Sequence, residues 1–101
     1  ARFALVTDDR DAVHALDAST GASVWKQDAL ARRQVSKPLI VGDHVIVGDL
    51  EGYVHALSRE TGAFAARERA GSDPIVADPV PLRRGFVVQG AGGDITAYEV
   101  R

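Results

Sequence analysis

Short apolar runs alternate with polar turn sequences along the whole chain. Runs of about five residues rich in Val, Ile, Leu and Ala are followed by segments rich in Asp, Gly, Ser and Thr. This spacing predicts short β-strands joined by tight turns. The predicted strands cover 3–6, 12–16, 22–26, 38–41, 44–48, 53–57, 63–67, 85–89 and 94–100, and the segment 78–81 starts a further strand before the last two. The inner strands are almost continuously apolar, which predicts that both faces of their sheets are covered.

The same pattern recurs at a shift of 41 residues. One shift superposes 13–16 on 54–57 and Thr20-Gly21 on Thr61-Gly62, and a second shift brings Gly52 onto Gly93. A period of about 40 to 45 residues with four strands is typical of a β-propeller blade. We therefore predict an all-β chain of four-stranded antiparallel blades, and 101 residues give about 2.5 such units.

The period divides the chain into three units of one propeller fragment. Residues 1–27 form a partial blade of three strands, 36–69 a complete blade, and 77–101 a partial final blade of three strands. A propeller ring needs about 4 to 8 blades. We therefore expect a C-terminal fragment of a longer protein. The alternative is a short chain that completes a ring by self-association.

One hairpin motif stands out in the first unit. Asp17, Thr20 and Gly21 predict a turn, because Asp and Thr side chains bond nearby amides and Gly accepts a positive φ. Trp25 ends the following strand, and its large ring with one N–H donor is suited to packing on a neighbouring layer. The second unit carries Ala66 where Trp25 would fall.

These residues resemble a known repeat. Ala15, Asp17, Thr20, Gly21 and Trp25 match the Ala-x-Asp-x-x-Thr-Gly-x-x-x-Trp pattern of the quinoprotein-dehydrogenase-like (PQQ-repeat) β-propellers. Segments 47–54 and 93–98 are similar to the C-terminal blades of the BamB-type outer-membrane protein assembly lipoproteins. The resemblance implies the last two and a half blades of an eight-bladed ring, with the Trp docked on the next blade. The structural blade motif is Ala15, Asp17, Thr20, Gly21, Trp25, Gly52, Thr61, Gly62 and Gly93.

The resemblance also implies a function. Members of that family are non-catalytic scaffolds of the β-barrel assembly machinery, on the periplasmic side of the Gram-negative outer membrane. The expected partner is the set of periplasmic domains of the central barrel-assembly protein, and the membrane is reached only through a lipid anchor outside this sequence. Docking loops of the family lie in earlier blades, so no partner-binding residue is assigned. The alternatives are a fragment of a PQQ-dependent quinoprotein dehydrogenase and a self-associating propeller binding module.

Composition narrows the chemistry. The formal net charge is −2 and no basic stripe with interleaved aromatic residues occurs, so a nucleic-acid partner is not expected. No run approaches the 18 or so apolar residues of a membrane-spanning helix. The chain has no cysteine, which excludes thiolate chemistry and the vicinal cysteine pair of many quinone-cofactor dehydrogenases. We expect no enzyme activity, no cofactor and no metal.

Two clusters of candidate ligands have simpler interpretations. Asp8, Asp9 and Asp11 suggest a calcium site, because calcium binds several carboxylate oxygens. The equivalent positions one repeat later, 49–52, do not carry three carboxylates. A solvated hairpin turn is therefore favoured for 8–11. His14 and His55 occupy equivalent positions of neighbouring units. Packed sheets lie about 10 Å apart, which zinc–nitrogen bonds of about 2.0–2.1 Å cannot bridge. Both histidines are therefore predicted to be packing residues.

Two further segments are interpreted as connections. The glycine-rich stretch 90–93 joins two predicted strands, and because no helix follows, it is a hairpin and not a phosphate-binding loop. Arg32, Arg33 and Lys37 make the crossover from the first to the second unit mildly basic. A solvated connection is favoured there over a partner site, although loops on a rigid scaffold are where binding residues concentrate.

Overall fold

Ten short strands form three antiparallel sheets. The computed structural model describes residues 3–75 and 77–99. The strands are β1 Phe3–Thr7, β2 Val13–Asp17, β3 Ser23–Gln27, β4 Leu39–Val41, β5 His44–Gly48, β6 Tyr53–Ser58, β7 Phe64–Arg69, β8 Val80–Leu82, β9 Gly85–Gln89 and β10 Ile95–Glu99. No helix occurs in this part of the chain, and so none that could cross a membrane.

Each sheet is a simple meander of consecutive strands. The first sheet has the order β1-β2-β3, the second β4-β5-β6-β7 and the third β8-β9-β10. The predicted all-β antiparallel architecture is therefore confirmed. The predicted strand 63–67 runs further, to Arg69, because a bulge between Ala56 and Leu57 places Tyr53 opposite Arg69. The predicted strand end at Val100 lies outside the described residues.

The second sheet is covered on both faces, and each face has its own core. Successive residues of a strand point to opposite faces. Val45 and Val47 of β5 therefore face the first sheet, whereas Ile46 faces the third. The first core comprises Val13, Ala15, Trp25, Leu30, Val45, Val47 and Leu57. The second comprises Ile46, Val54, Ile75, Phe86 and Val88. This double burial explains why β5 is apolar at consecutive positions.

Two crossovers connect the sheets, the first between β3 and β4 and the second between β7 and β8. Backbone and side-chain hydrogen bonds tie both of them into the sheets. Leu30 of the first crossover is fully buried in the first core. In the second crossover, the amide of Ile75 donates to the carbonyl of Asp49 at 2.9 Å. The two crossovers are also linked to each other, because the amide of Lys37 donates to the Asp78 carboxylate at 3.0 Å. These bonds fix the three sheets relative to one another.

The two interfaces differ at one equivalent position. Between the first and second sheets that position is Trp25, which fills the space. Between the second and third sheets it is Ala66, and a cleft of about 250 Å³ remains there. The cleft is walled mainly by apolar side chains from both sheets, namely Ile46, Val54, Ala56, Phe86 and Tyr98.

Larger side chains on the third sheet replace part of the missing indole. Phe86 and Tyr98 stack with their ring centroids 5.0 Å apart and an interplanar angle of 20°. One repeat earlier these positions are held by the smaller Val45 and Leu57, which lie in the core that Trp25 completes. Burial also raises the pKa of Tyr98 above 10.0, because its ionised form is poorly solvated there.

Replacing Ala66 by Phe should stabilise the protein. The added ring would occupy the cleft, and cavity filling commonly contributes about 0.5–2 kcal/mol. Urea denaturation measures the free energy of unfolding, and Ala18→Phe in the exposed β2–β3 turn is the matched control. A loss of stability in Ala66→Phe would show that the cleft is too shallow and that the ring overpacks it.

Candidate functional site

Trp25 joins the first sheet to the second. Its indole Nε1 donates to the backbone carbonyl of Arg59 at 2.7 Å, and the residue is only 8% exposed. The ring lies against Gly62, where a Cβ atom would come within 2.4 Å of the indole. Gln27 adds a second bond, from its side-chain amide to the carbonyl of Gly62 at 2.9 Å. The indole is thus docked on the β6–β7 turn of the second sheet.

The turn that precedes Trp25 is built by side chains. The carboxylate of Asp17 accepts hydrogen bonds from the Ser19 amide at 2.8 Å, the Ser19 hydroxyl at 2.6 Å and the Thr20 amide at 3.2 Å. The Thr20 hydroxyl accepts from the amide of Ala22 at 3.2 Å. The bonds from Ser19 and Thr20 lower the pKa of Asp17, because they stabilise the charged form.

The β6–β7 turn has the same geometry one repeat later. Ser58 replaces the aspartate, and the Thr61 hydroxyl again accepts from the amide two residues on, at 3.2 Å. The amide of Gly62 donates to the carbonyl of Ser58 at 2.8 Å, as Gly21 does to Asp17. Gly62 has a φ of 77°, a conformation that few other residues adopt. The turn therefore presents a bare backbone surface to Trp25.

The other predicted motif residues lie at separate places. Ala15 is fully buried in the first core, directly opposite Trp25 in the β2–β3 pairing. Gly52 has a φ of 89°, and a Cβ atom there would meet the carbonyl oxygen of Gly71 at 2.3 Å. Gly93 has a φ of 99° in the β9–β10 turn and lies in open space. The motif residues are thus brought together only around Trp25.

A buried aspartate–histidine pair lies in the second sheet. The Asp49 carboxylate and the His55 imidazole Nε2 are 2.7 Å apart, and both side chains are fully buried. The other carboxylate oxygen of Asp49 accepts from the amides of Glu51 at 2.9 Å and Tyr53 at 3.0 Å. Arg33 reaches in from the crossover, with one guanidinium nitrogen 3.0 Å from Asp49. The carboxylate is therefore fully satisfied although it is buried.

The first sheet has an equivalent aspartate–histidine pair that is more exposed to solvent. Asp8 and His14 are 2.7 Å apart, and Asp8 also accepts from the amides of Arg10 at 2.8 Å and Ala12 at 3.0 Å. The partners lie two, four and six residues after the aspartate in both repeats. The hydrogen bond with His14 is the main cause that lowers the pKa of Asp8 to about 2.

These pairs correct three predictions. The Asp8–Asp11 turn is not simply solvated, because Asp8 is hydrogen-bonded to His14 and Asp11 accepts a hydrogen bond from the amide of Val35 at 3.2 Å. Arg33 is not only a solvated crossover residue, since it forms an ion pair with Asp49. The histidines are hydrogen-bonded partners of aspartates as well as packing residues. In the sequence, an aspartate precedes a histidine by six residues in the first two repeats. The equivalent positions of the third repeat are Gly90 and Thr96, which cannot form this pair.

The protonation states follow from the partners. Burial alone would raise the pKa of Asp49, but hydrogen bonds from His55, the Tyr53 amide and Arg33 outweigh it and hold that pKa below 3.8. Burial lowers the pKa of His55 below 6.5, and the nearby cations Arg67 and Arg33 act in the same direction, against the opposing effect of Asp49. Arg67 Nε donates to His55 Nδ1 at 3.3 Å, so the neutral ring carries its proton on Nε2.

The arrangement of Asp49 and His55 is suited to a structural role. Asp49 and His55 have all their polar atoms engaged within the fold, and neither is open to a substrate. Within residues 3–75 and 77–99, no group of three or more His, Asp or Glu side chains could hold a metal ion. The site is therefore a structural junction, in which one docked indole joins two sheets and one buried polar network ties the first crossover to the second sheet.

Comparison with known proteins places the chain in a family. The family model described as "Outer membrane protein assembly factor BamB" matches residues 1–101. The chain belongs to the BamB family. The protein of that name from Xanthomonas campestris pv. campestris is 45% identical over 96 residues, which are 95% of this chain and 24% of that protein. The Pseudomonas aeruginosa protein is 46% identical over 89 residues, or 88% of this chain and 23% of its own length.

Solved structures show the fold. The crystal structure of BamB from Moraxella catarrhalis matches with a TM-score of 0.91 and 23% identity, covering 100% of this chain and 30% of that one. Quinohemoprotein alcohol dehydrogenase from Comamonas testosteroni matches with a TM-score of 0.81 and 23% identity, covering 98% of this chain and 18% of that one. The chain is thus a partial β-propeller, and it spans about a quarter of the length of the curated BamB relatives.

The contact between Trp25 and Gly62 can be measured by a double-mutant cycle. Trp25→Ala should cost about 3–5 kcal/mol, because it empties a packed inter-sheet space. Gly62→Ala should cost about 1–3 kcal/mol more than Gly21→Ala, because only at Gly62 does the new methyl group also collide with the indole. Gly21 is the matched control, with a φ of 75° and nothing within 4 Å.

The cycle is completed in the Trp25→Ala background, with free energies of unfolding from denaturant melting. There the extra cost of Gly62→Ala should disappear, leaving only the backbone strain that both glycines share. An unchanged extra cost without the indole would contradict the proposed contact. A cost of Trp25→Ala below about 1 kcal/mol would mean that the ring is not buried between the sheets.

The stability of the protein should fall as the pH is lowered through the range of His55. Because its folded pKa is below the unfolded value, the unfolded chain binds the proton more readily below about pH 6.5. Asp49 acts in the same direction, since its depressed pKa makes the contribution of its ionised form disappear below about pH 3.9. Urea denaturation of wild type and His55→Gln between pH 7 and pH 5 measures the histidine effect.

The variant His55→Gln should show a flatter dependence on pH than the wild type. His14→Gln, at the equivalent but partly exposed position, is the control. If the wild type and His55→Gln lose stability equally between pH 7 and pH 5, His55 is not the group responsible.

Proposed function

We propose that this chain is part of a non-catalytic scaffold of the β-barrel assembly machinery. The observation that carries the proposal is the family match over residues 1–101, together with relatives that are named outer membrane protein assembly factors. In this proposal the protein lies on the periplasmic side of the outer membrane. It assists the folding and insertion of outer-membrane β-barrel proteins by docking onto the periplasmic domains of the central barrel-assembly protein.

The residues of the junction support a scaffold. Trp25, Asp49 and His55 are the side chains with the most specialised surroundings: Trp25 docks the first sheet on the second, and the Asp49–His55 pair holds Arg33 of the first crossover. A catalytic group would need a face open to substrate, whereas Asp49 and His55 are fully buried. We infer that the units 1–27, 36–69 and 77–101 are successive blades whose rigidity positions binding surfaces along the ring.

The likeness to quinohemoprotein alcohol dehydrogenase concerns the fold. At 23% identity the match extends to the backbone of the sheets. The Trp25 pattern is shared because it joins neighbouring blades, a need that any such ring has whatever its function. A dehydrogenase fragment is therefore less well supported than an assembly factor.

A chimaeric protein tests the proposal. In BamB of Pseudomonas aeruginosa, the matched segment is replaced by residues 1–101, and the chimaera is expressed in a strain that lacks the native protein. It should co-purify with the central barrel-assembly protein and restore the amounts of outer-membrane β-barrel proteins. A version in which the segment is deleted is the control.

One outcome of the chimaera experiment would contradict the proposed function. A chimaera that is folded by circular dichroism, yet neither co-purifies nor restores those amounts, would show that this chain is not an assembly-factor segment. Light scattering of the 101-residue chain alone tests the self-association alternative, which would be favoured by a stable closed multimer.

A further inference from the structure

Three arginines surround one tyrosine on the outer part of the second sheet. The guanidinium carbons of Arg33, Arg67 and Arg69 lie 5.9, 6.0 and 5.5 Å from the ring centroid of Tyr53. Each distance is within the roughly 6 Å over which a cation is attracted to a ring face. We call these four residues the arginine cluster. Tyr53 is half-buried, whereas Arg67 and Arg69 are exposed.

The guanidinium groups are held in place by the fold. Arg67 Nε donates to His55 Nδ1 at 3.3 Å, and Arg69 Nε donates to the carbonyl of Gly71 at 3.0 Å. These bonds use the inner nitrogen of each group and leave the terminal nitrogens for other partners. A guanidinium that is already oriented loses less freedom when it binds a ligand.

Positive charge is in excess at this surface. Among the residues that the structure describes, Arg67 and Arg69 have no carboxylate within ion-pair distance. Arg33 has two, the buried Asp49 at 3.0 Å and the exposed Glu51 at 3.9 Å. Three cations therefore meet two carboxylates, on a chain whose formal net charge is −2. An anionic partner would be attracted to this surface.

The strand sets the spacing of two of these charges. Arg67 and Arg69 lie two residues apart on β7, opposite His55 and Tyr53, and so on the same face. Two residues of a strand span roughly 6.7 Å. β7 is the edge strand of its sheet, and all six of its residues are exposed. An extended peptide alongside β7 would present its own side chains at the same interval.

We propose that the arginine cluster docks an extended acidic segment of a protein partner, with carboxylates two residues apart facing Arg67 and Arg69. The planar guanidinium fork matches a carboxylate in two-point hydrogen bonding. A phosphate group would instead need donors that converge on one point, whereas these two arginines follow the line of a strand. The inference adds named residues to the scaffold, and it can fail independently of the proposed function.

A peptide-binding measurement tests this inference. The natural full-length protein that contains this chain is titrated into a fluorescently labelled peptide of alternating Asp and Thr, and anisotropy is recorded. The same peptide with Asn in place of Asp is the uncharged control. Arg67→Gln with Arg69→Gln should weaken binding by about tenfold or more, because hydrogen bonds between charged groups are lost.

A matched variant separates the cluster from general electrostatics. Arg83 and Arg84 are exposed in the β8–β9 turn, so Arg83→Gln with Arg84→Gln removes the same charge elsewhere. That variant should bind within about twofold of the wild type. Arg69→Gln alone is included because its Nε bond goes to a backbone carbonyl, so the His55 contact of Arg67 stays intact. It should weaken binding by about threefold or more even if the double variant fails to fold.

Three results would overturn the inference. Equal binding of the Asn peptide would show that carboxylates are not recognised. An equal loss in both double variants would show that only net charge matters. Displacement of the peptide by inorganic phosphate at the same concentration, or by phosphatidylglycerol vesicles, would identify a general anion or lipid surface instead.

Discussion

The packing of Trp25 depends on the absence of a side chain at position 62. The β6–β7 turn exposes bare backbone there, because Gly62 adopts a positive φ and the indole lies directly against it. The carbonyl of Arg59, in the same turn, accepts the indole N–H. One hairpin thus supplies both the apolar contact and the polar partner of the ring. The packing of Trp25 in the first sheet therefore requires the turn sequence of the second sheet.

The second interface solves the same packing problem differently. With Ala66 in the position of the indole, no turn of the third sheet is required to receive it. The space is filled in part by Phe86 and Tyr98, which are larger than their counterparts Val45 and Leu57. The aromatic side chain is thus on β3 of the first sheet at one interface, and on β9 and β10 of the third sheet at the other. A repeat protein can vary in this way because each unit packs only against its neighbours.

The strands and their register were predictable because alternation and a period of 41 residues act locally and repeat. The buried polar network of Asp49 and His55 was not predictable from the sequence in the same way. Their pairing depends on the β5–β6 turn, which begins at Asp49. The backbone carbonyl of Asp49 is held there by the amide of Ile75, from the second crossover. Arg33 reaches that carboxylate from a crossover in which Arg32 and Gln34 have φ values of 66° and 53°. Such conformations in non-glycine residues are set by tertiary contacts and leave little trace in sequence.

The arginines of β7 alternate with Glu68 along an edge strand of the second sheet. Charged side chains at a sheet edge disfavour indiscriminate pairing with other chains. The bulge at Ala56 then places Tyr53 opposite Arg69 and His55 opposite Arg67, so the charges gather around one ring. The neutral state of His55 is part of the same arrangement, because its Nδ1 must accept from Arg67 while its Nε2 donates to Asp49. A single histidine therefore links the buried Asp49 to the exposed arginine cluster, and Arg67 of the proposed docking surface is oriented by a residue of the buried polar network.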